Sequence, residues 1–223
     1  SQMIAGEPNV QLQRVRLTDA EKYDGAAPIN AFGPSAPTQG SPGLFTFRND
    51  DGRTIAADAD SVVLLAFDVD FQNPSNSNFY TLSSHLTAPF NTTLCNEGGY
   101  FQACVTTPGN NSKLMATTSF VMDKPIWRKY DTHESILVYH TVNAGGEGIA
   151  GIRWHELRRT TGDWQLFQEG TYSPDDTHRF YPSMNMNAFG QIMSVYNSSS
   201  STIWPSITVT GRNANDQPGS LPA

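Results

Sequence analysis

Long hydrophobic runs are missing from this chain. The longest, Val62 to Phe67, falls far short of the roughly 20 apolar residues that cross a bilayer as a helix. Charge is also scarce, at 16% of residues. No stretch concentrates the Ala, Leu, Glu and Lys of an amphipathic helix. Basic residues are outnumbered, for a net charge of −7. The scattered Lys and Arg form no stripe of the kind a nucleic acid selects, and Arg14, Arg16, Arg158 and Arg159 read as solvated strand edges. The opening Ser1-Gln2-Met3-Ile4-Ala5-Gly6 lacks the charged-then-apolar order of a secretory signal. Cysteine is limited to two residues. No further Cys or His pair stands at metal-ligand spacing, which argues against zinc.

Turn chemistry is abundant. The 223 residues hold 18 Gly and 14 Pro, with many Asn, Ser and Thr, a profile that suits a turn-rich all-β protein. The length allows one large domain or two small ones, with a sizeable core. Val10–Leu17 reads as an imperfect first strand. Residues 18–43 are too proline-rich for a central strand, and so long a connection is functional or lies across a surface. Short strands are expected at Leu44–Arg48, Ser61–Phe71 and Phe79–Leu86. The middle one is apolar on both faces in its first half, as where a sheet is covered on both sides. Weaker candidates span Lys113–Met122 and Ile126–Tyr130.

From Glu134 to Arg212 the chain makes two passes of short strands. The first comprises Ser135–His140, Ala150–Arg158 and Trp164–Gln168. The second comprises Pro182–Asn187, Gln191–Tyr196 and Trp204–Arg212. Laying Ile136 on Ile192 and Arg158 on Arg212 gives a period of roughly 55 residues, just beyond the range typical of propeller blades. The expectation is a β-propeller-like segment of about three four-stranded antiparallel blades, in units of roughly 1–90, 110–175 and 176–212. A cysteine loop lies at 88–111 and a polar tail at 213–223. A propeller closes with typically four to eight blades. This segment is therefore expected to be incomplete on its own, its edges paired with further segments of the same propeller or with another chain.

Gly151-Ile152-Arg153-Trp154-His155-Glu156-Leu157-Arg158, Trp164…Gln168-Glu169-Gly170-Thr171-Tyr172-Ser173-Pro174-Asp175, Arg179-Phe180-Tyr181-Pro182-Ser183-Met184 and Pro205-Ser206-Ile207…Thr210-Gly211-Arg212 resemble a family of large, uncharacterised, secreted bacterial surface proteins with propeller-like repeats. The resemblance extends upstream through Thr132-His133-Glu134-Ser135, Cys95…Cys104 and Phe67-Asp68-Val69-Asp70-Phe71 to Met3-Ile4-Ala5-Gly6-Glu7-Pro8. It implies further sequence on both sides and transfers no catalytic residue. Trp154-His155 departs from the Trp-Tyr that relatives tend to carry, and the strand Met184–Met186 is more polar.

Cys95 and Cys104 are expected to close a small disulfide ring, which implies an oxidising, extracytoplasmic compartment; the alternative is a pair of reduced loop thiols. Asp68 and Asp70, two apart at a strand end with Asp58 and Asp60 before them, offer hard oxygens for Ca²⁺, the one cofactor suggested. No EF-type loop follows, and a solvated strand end competes. His133-Glu134, His140, His155-Glu156 and Asp175-Asp176…His178-Arg179 carry groups that a hydrolase uses. Neither a His-Glu-x-x-His helix nor a Gly-x-Ser-x-Gly elbow accompanies them. The Ser-x-Asp-x-Gly-x-Thr-Trp turn of sialidase-type propellers is also missing, and His140 and His155 read as hydrogen-bonded structural imidazoles. Among the aromatics, Trp154, Trp164 and Trp204 read as core, while Tyr100 and Phe101 are the better surface candidates for carbohydrate. Asn91, Asn110 and Asn197 head glycosylation sequons in expected turns, relevant only in a source that glycosylates.

The function expected is a non-catalytic extracellular binding or structural module, without nucleic-acid partner or membrane insertion, with carbohydrate as a candidate ligand. A carbohydrate-active hydrolase or lyase is the alternative. Convergence of Glu134, Glu156, Asp175 and His178 in one concave pocket would favour the enzyme; dispersal would favour the binding module.

Overall fold

Ser61–Asp68 is a near-continuous apolar run, and both of its faces are buried: Val62 and Leu64 on one side, Val63 and Leu65 on the other. That double burial sets the layering of the molecule. The computed structural model describes residues 25–53, 57–95, 103–109, 112–118, 120–122, 124–145 and 148–222. The strand expected at Val10–Leu17 lies outside them.

The described residues form an all-β fold. A first sheet runs in the order β1-β3-β4-β5, from β1 (Ala27–Pro28), β3 (Gly43–Asn49), β4 (Ser61–Asp68) and β5 (Asn78–Leu86). The second has the order β11-β10-β9-β8-β2, from β2 (Asn30–Ala31), β8 (Ile126–Lys129), β9 (Glu134–Ala144), β10 (Ile149–Arg159) and β11 (Gln165–Tyr172). The third is β12-β13-β14, from β12 (His178–Met186), β13 (Ile192–Ser199) and β14 (Ser206–Arg212). A two-stranded ribbon joins β6 (Ala103–Val105) to β7 (Leu114–Met115). All pairings are antiparallel except β2 with β8, and no sheet closes on itself. Four, five and three strands thus stand where four in each unit were expected.

The sheets lie face to face, with the second in the middle. Alternation along β9 and β10 sends Ile136, Val138 and Leu157 towards Val62 and Leu64 of the first sheet. It sends Leu137, Tyr139, Ile152 and Trp154 towards Met184, Met186, Ile192 and Tyr196 of the third. Along β9 and β10 the buried apolar residues thus alternate between two cores, and a one-residue slip would exchange them. Residues 27–32 stitch the first two sheets together: β1 pairs with β3, then β2 pairs with β8. Pro28 is tolerated because β1 is an edge strand.

The three-bladed propeller expected is not shown by these sheets, and individual strands also differ from the sequence reading. Among the described residues of Lys113–Met122 only Leu114–Met115 is strand. In the two passes Ile136 faces Leu157, whereas Ile192 faces Arg212, so the pairings differ by one residue from the expected superposition. The tail after Asn213 is not a loose end. Leu221 is buried in the core between the second and third sheets, and the Gly219 N–H donates to Gln168 Oε1 at 3.1 Å.

Candidate functional site

The proline-rich strap 32–42 crosses from β2 of the second sheet to β3 of the first. The strap is anchored by the Phe32 N–H donating to the Trp127 carbonyl at 2.8 Å and by Arg128 over the Phe32 ring. Beneath it lies a cavity of about 340 Å³, within the range of small-molecule sites. Leu44, Tyr80 and Leu82 come from the first sheet, Trp127, Lys129, Glu134 and Arg159 from the second, and Pro37 and Pro42 from the strap. Strand pairing sets the polar end, since Lys129 and Arg159 flank Glu134 on neighbouring strands. Glu134 Oε2 accepts from Trp127 Nε1 and from Arg159 Nη2, each at 2.8 Å. Its Oε1 carries no hydrogen bond among the described residues. The Arg159 guanidinium also lies 4.7 Å from the Trp164 ring centroid. Tyr80 donates to Asp68 Oδ2 at 3.1 Å.

Between the same sheets lies a mostly buried polar cluster. His140 and His155 are fully buried, and Phe90 packs edge-on against both. Arg153 ion-pairs with Glu169 and donates to the Ala88 carbonyl at 3.1 Å, while the Ala88 N–H donates to Glu169 Oε1 at 2.8 Å. Desolvation holds His140 well below its usual pKa and lowers His155 to about 4 despite Glu169 at 3.4 Å. Burial works to raise the Glu169 carboxyl, but His155, the Ala88 N–H and Arg153 outweigh it and hold it below the ordinary range. Both histidines lie buried on the central strands β9 and β10. The hydrogen bonding expected of them is thin, since neither Nε2 has a partner among the described residues.

Asp50, Asp51 and Asp60 bring carboxylate oxygens within 4.8 Å of one another. The buried pair is already engaged: Asp50 accepts from Thr92 and Gly52, and Asp60 from the Asp51 and Phe90 N–H groups. These acids fasten the 50–53 turn to loop 87–92. Asp58 and Asp60 lie at the opposite end of β4 from Asp68. Asp70 caps its own turn, taking the Gln72 and Asn73 N–H groups on Oδ1 and Asn76 on Oδ2, and those bonds lower its pKa.

The residues expected as a hydrolytic set are dispersed. Glu134 faces the first sheet, while Glu156 faces the third and is held by Ser135, Arg158 and Gln168. Asp175 and His178 stand at the far end of the second sheet. Arg179 grips Asp175 through two bonds of 3.0 and 2.9 Å and pushes its carboxyl far below the ordinary range. His178 Nδ1 accepts the Ala150 N–H at 3.2 Å, and burial lowers its pKa.

Trp154 and Trp164 are buried as expected, but Trp204 is 65% exposed, because it falls in the turn before β14. Asn197 lies within β13 and not in a turn; Asn91 is exposed beside loop 87–92. Tyr100, Phe101 and Asn110 lie outside the described residues. Arg158 and Arg159 are not bare strand edges: they pair with Glu156 and Glu134. Cys95 and Cys104 form the expected disulfide. No helix of the described residues is long and apolar enough to cross a membrane. The strap cavity escaped sequence reading because its lining comes from four segments distant in the chain; the proline content of the strap was its one signal. No protein-family model, curated protein or solved structure matches the chain.

Proposed function

We propose that the chain is a non-catalytic extracellular binding or structural module, a propeller-like segment of a larger surface protein or assembly of the kind its motifs resemble. The observation that carries this reading is the outer face of the third sheet. Met193, Val209 and Ile207 line it and are 53%, 57% and 77% exposed. The corresponding apolar faces of the other sheets are buried. Contiguous exposed apolar surface marks an interaction site, and a sheet face is matched by another sheet about 10 Å away. Among the described residues β14 is also an edge strand with one side unpaired, where further β-structure can add. The Cys95–Cys104 disulfide agrees with an oxidising compartment. Dispersal of Glu134, Glu156, Asp175 and His178 speaks against the carbohydrate-active hydrolase or lyase.

The test joins two measurements. Intact mass of the protein from its source is expected to exceed 24.4 kDa, or the chain to be recovered in a stable complex. Sedimentation of the 223-residue chain is expected to show concentration-dependent self-association, abolished by Ile207→Lys with Val209→Lys. A free 24.4 kDa monomer that stays monomeric at all concentrations would overturn the reading.

A further inference from the structure

The cavity beneath the strap has a polar composition that restricts what it can hold. At one end stand a carboxylate, Glu134, and two cations, Lys129 and Arg159. Trp127 and Arg159 both hold Glu134 Oε2, which leaves Oε1 as the acceptor available to a ligand. Lys129 makes no ion pair among the described residues, so its ammonium is an available donor. The remaining wall is mostly apolar: Leu44, Leu82, Pro37, Pro42 and the Tyr80 ring.

An anionic ligand reaching the polar end meets the Glu134 carboxylate, and a cationic one meets Lys129 and Arg159. A neutral ligand rich in hydroxyls meets neither objection. Each hydroxyl donates to Glu134 Oε1 or accepts from Lys129, because it carries one donor and two acceptor positions. The ring C–H face of a sugar also supplies apolar area for Leu82 and Tyr80. We infer that this cleft is a binding site for a neutral saccharide unit, with Glu134 and Lys129 reading adjacent hydroxyls and the strap forming the outer wall. The inference rests on the reading of the chain as a binding module and assigns that module a ligand class and a place.

The probes are glucose, galactose, mannose and N-acetylglucosamine as methyl glycosides, with their β-linked disaccharides, titrated calorimetrically and by tryptophan emission. At least one is expected to bind saturably. Lys129→Ala and Glu134→Gln are each expected to weaken it about tenfold, one decade of Kd. Leu82→Arg, at a partly exposed position that tolerates a long side chain, is expected to abolish binding with an unchanged unfolding transition. Methyl glucuronoside and glucosamine are expected to bind more weakly than the neutral sugars.

Absence of binding across the panel would overturn the inference. So would unaltered binding by Leu82→Arg, or tighter binding of the charged sugars. The Ile207→Lys, Val209→Lys chain is expected to bind sugar like the parent, so loss of the sheet-face interface and loss of the sugar site are separable. Cleavage of a bound disaccharide, abolished by Leu82→Arg, would support the site while overturning the non-catalytic reading.

Discussion

The imidazoles of His140 and His155 are stacked, 5.7 Å between centroids and 12° between planes. Two basic groups held that close, fully buried and with Arg153 beside them, are both kept neutral. In the unfolded chain each returns to the ordinary histidine pKa near 6.5. The unfolded state therefore binds more protons than the fold below that value, and stability falls as pH drops. Above about pH 6.5 the contribution is flat. From there to about 4, the value for His155, that residue alone removes about 3 kcal/mol at 1.36 kcal/mol per unit. Urea unfolding at half-unit pH steps is expected to show this decline. A His140→Leu, His155→Leu chain is expected to lose most of it, and an identical pH profile in that variant would refute the account.

Glu169 joins Arg153, His155 and the Ala88 N–H in one network. Glu169→Gln keeps the shape but removes the ion-pair partner of the Arg153 guanidinium in a mostly buried site, leaving the more distant charge of Asp60. Removing one partner of a buried pair typically costs about 3–5 kcal/mol. Glu169 is itself partly exposed, so the expected loss is at the low end, about 3 kcal/mol, measured by urea unfolding at pH 7. A loss below about 1 kcal/mol would mean that solvent screens the pair as it screens surface ion pairs.

Cys95 and Cys104 are joined across a sequence separation of nine. Closing so short a ring restricts the unfolded chain modestly, by about 2–3 kcal/mol in the chain-entropy account. Cys95→Ser with Cys104→Ser is expected to lower stability by that amount and to leave the strap cavity intact, read by unchanged sugar titration. Loss of the sugar response together with stability would show that the disulfide region supports the cavity.

The strands were legible because each buried face has period two. Ser135–His140, Ala150–Arg158 and Gln191–Tyr196 were readable from alternation and turn residues alone, and Trp154 and Trp164 as core from size. Trp204 was misassigned because a large aromatic looks the same in sequence whether its turn faces the core or solvent. Asp60 was grouped with Asp68, its neighbour along the strand, although an extended strand carries the two to opposite ends and folding brings Asp50 and Asp51 to Asp60 instead. Sites assembled across sheets, such as Glu134 with Leu82 and Pro37, leave no local spacing to recognise.

Gly170 and the tail make the most exacting test of how the second and third sheets are sealed. A Cβ on Gly170 would lie 2.0 Å from the Gly219 carbonyl oxygen and 3.1 Å from Trp154 Nε1. Backbone meets backbone here, so neither side can yield by rotating a side chain. Beyond Gly219 the tail buries Leu221 in the core and places the Pro222 carbonyl to accept from the Thr210 hydroxyl. Gly170→Ala must therefore push the tail outward or bend β11, at the about 1–3 kcal/mol typical of overpacking. It is expected to lower stability by that amount and to open residues 213–222 to limited proteolysis, mapped by mass spectrometry. Gly162→Ala is the control: its φ is left-handed at +71°, unlike that of Gly170, and nothing lies within 4 Å of the new methyl. It is expected to cost backbone strain while leaving the tail protected. Equal protection of the tail in both variants would mean that the contact at Gly170 does not hold it.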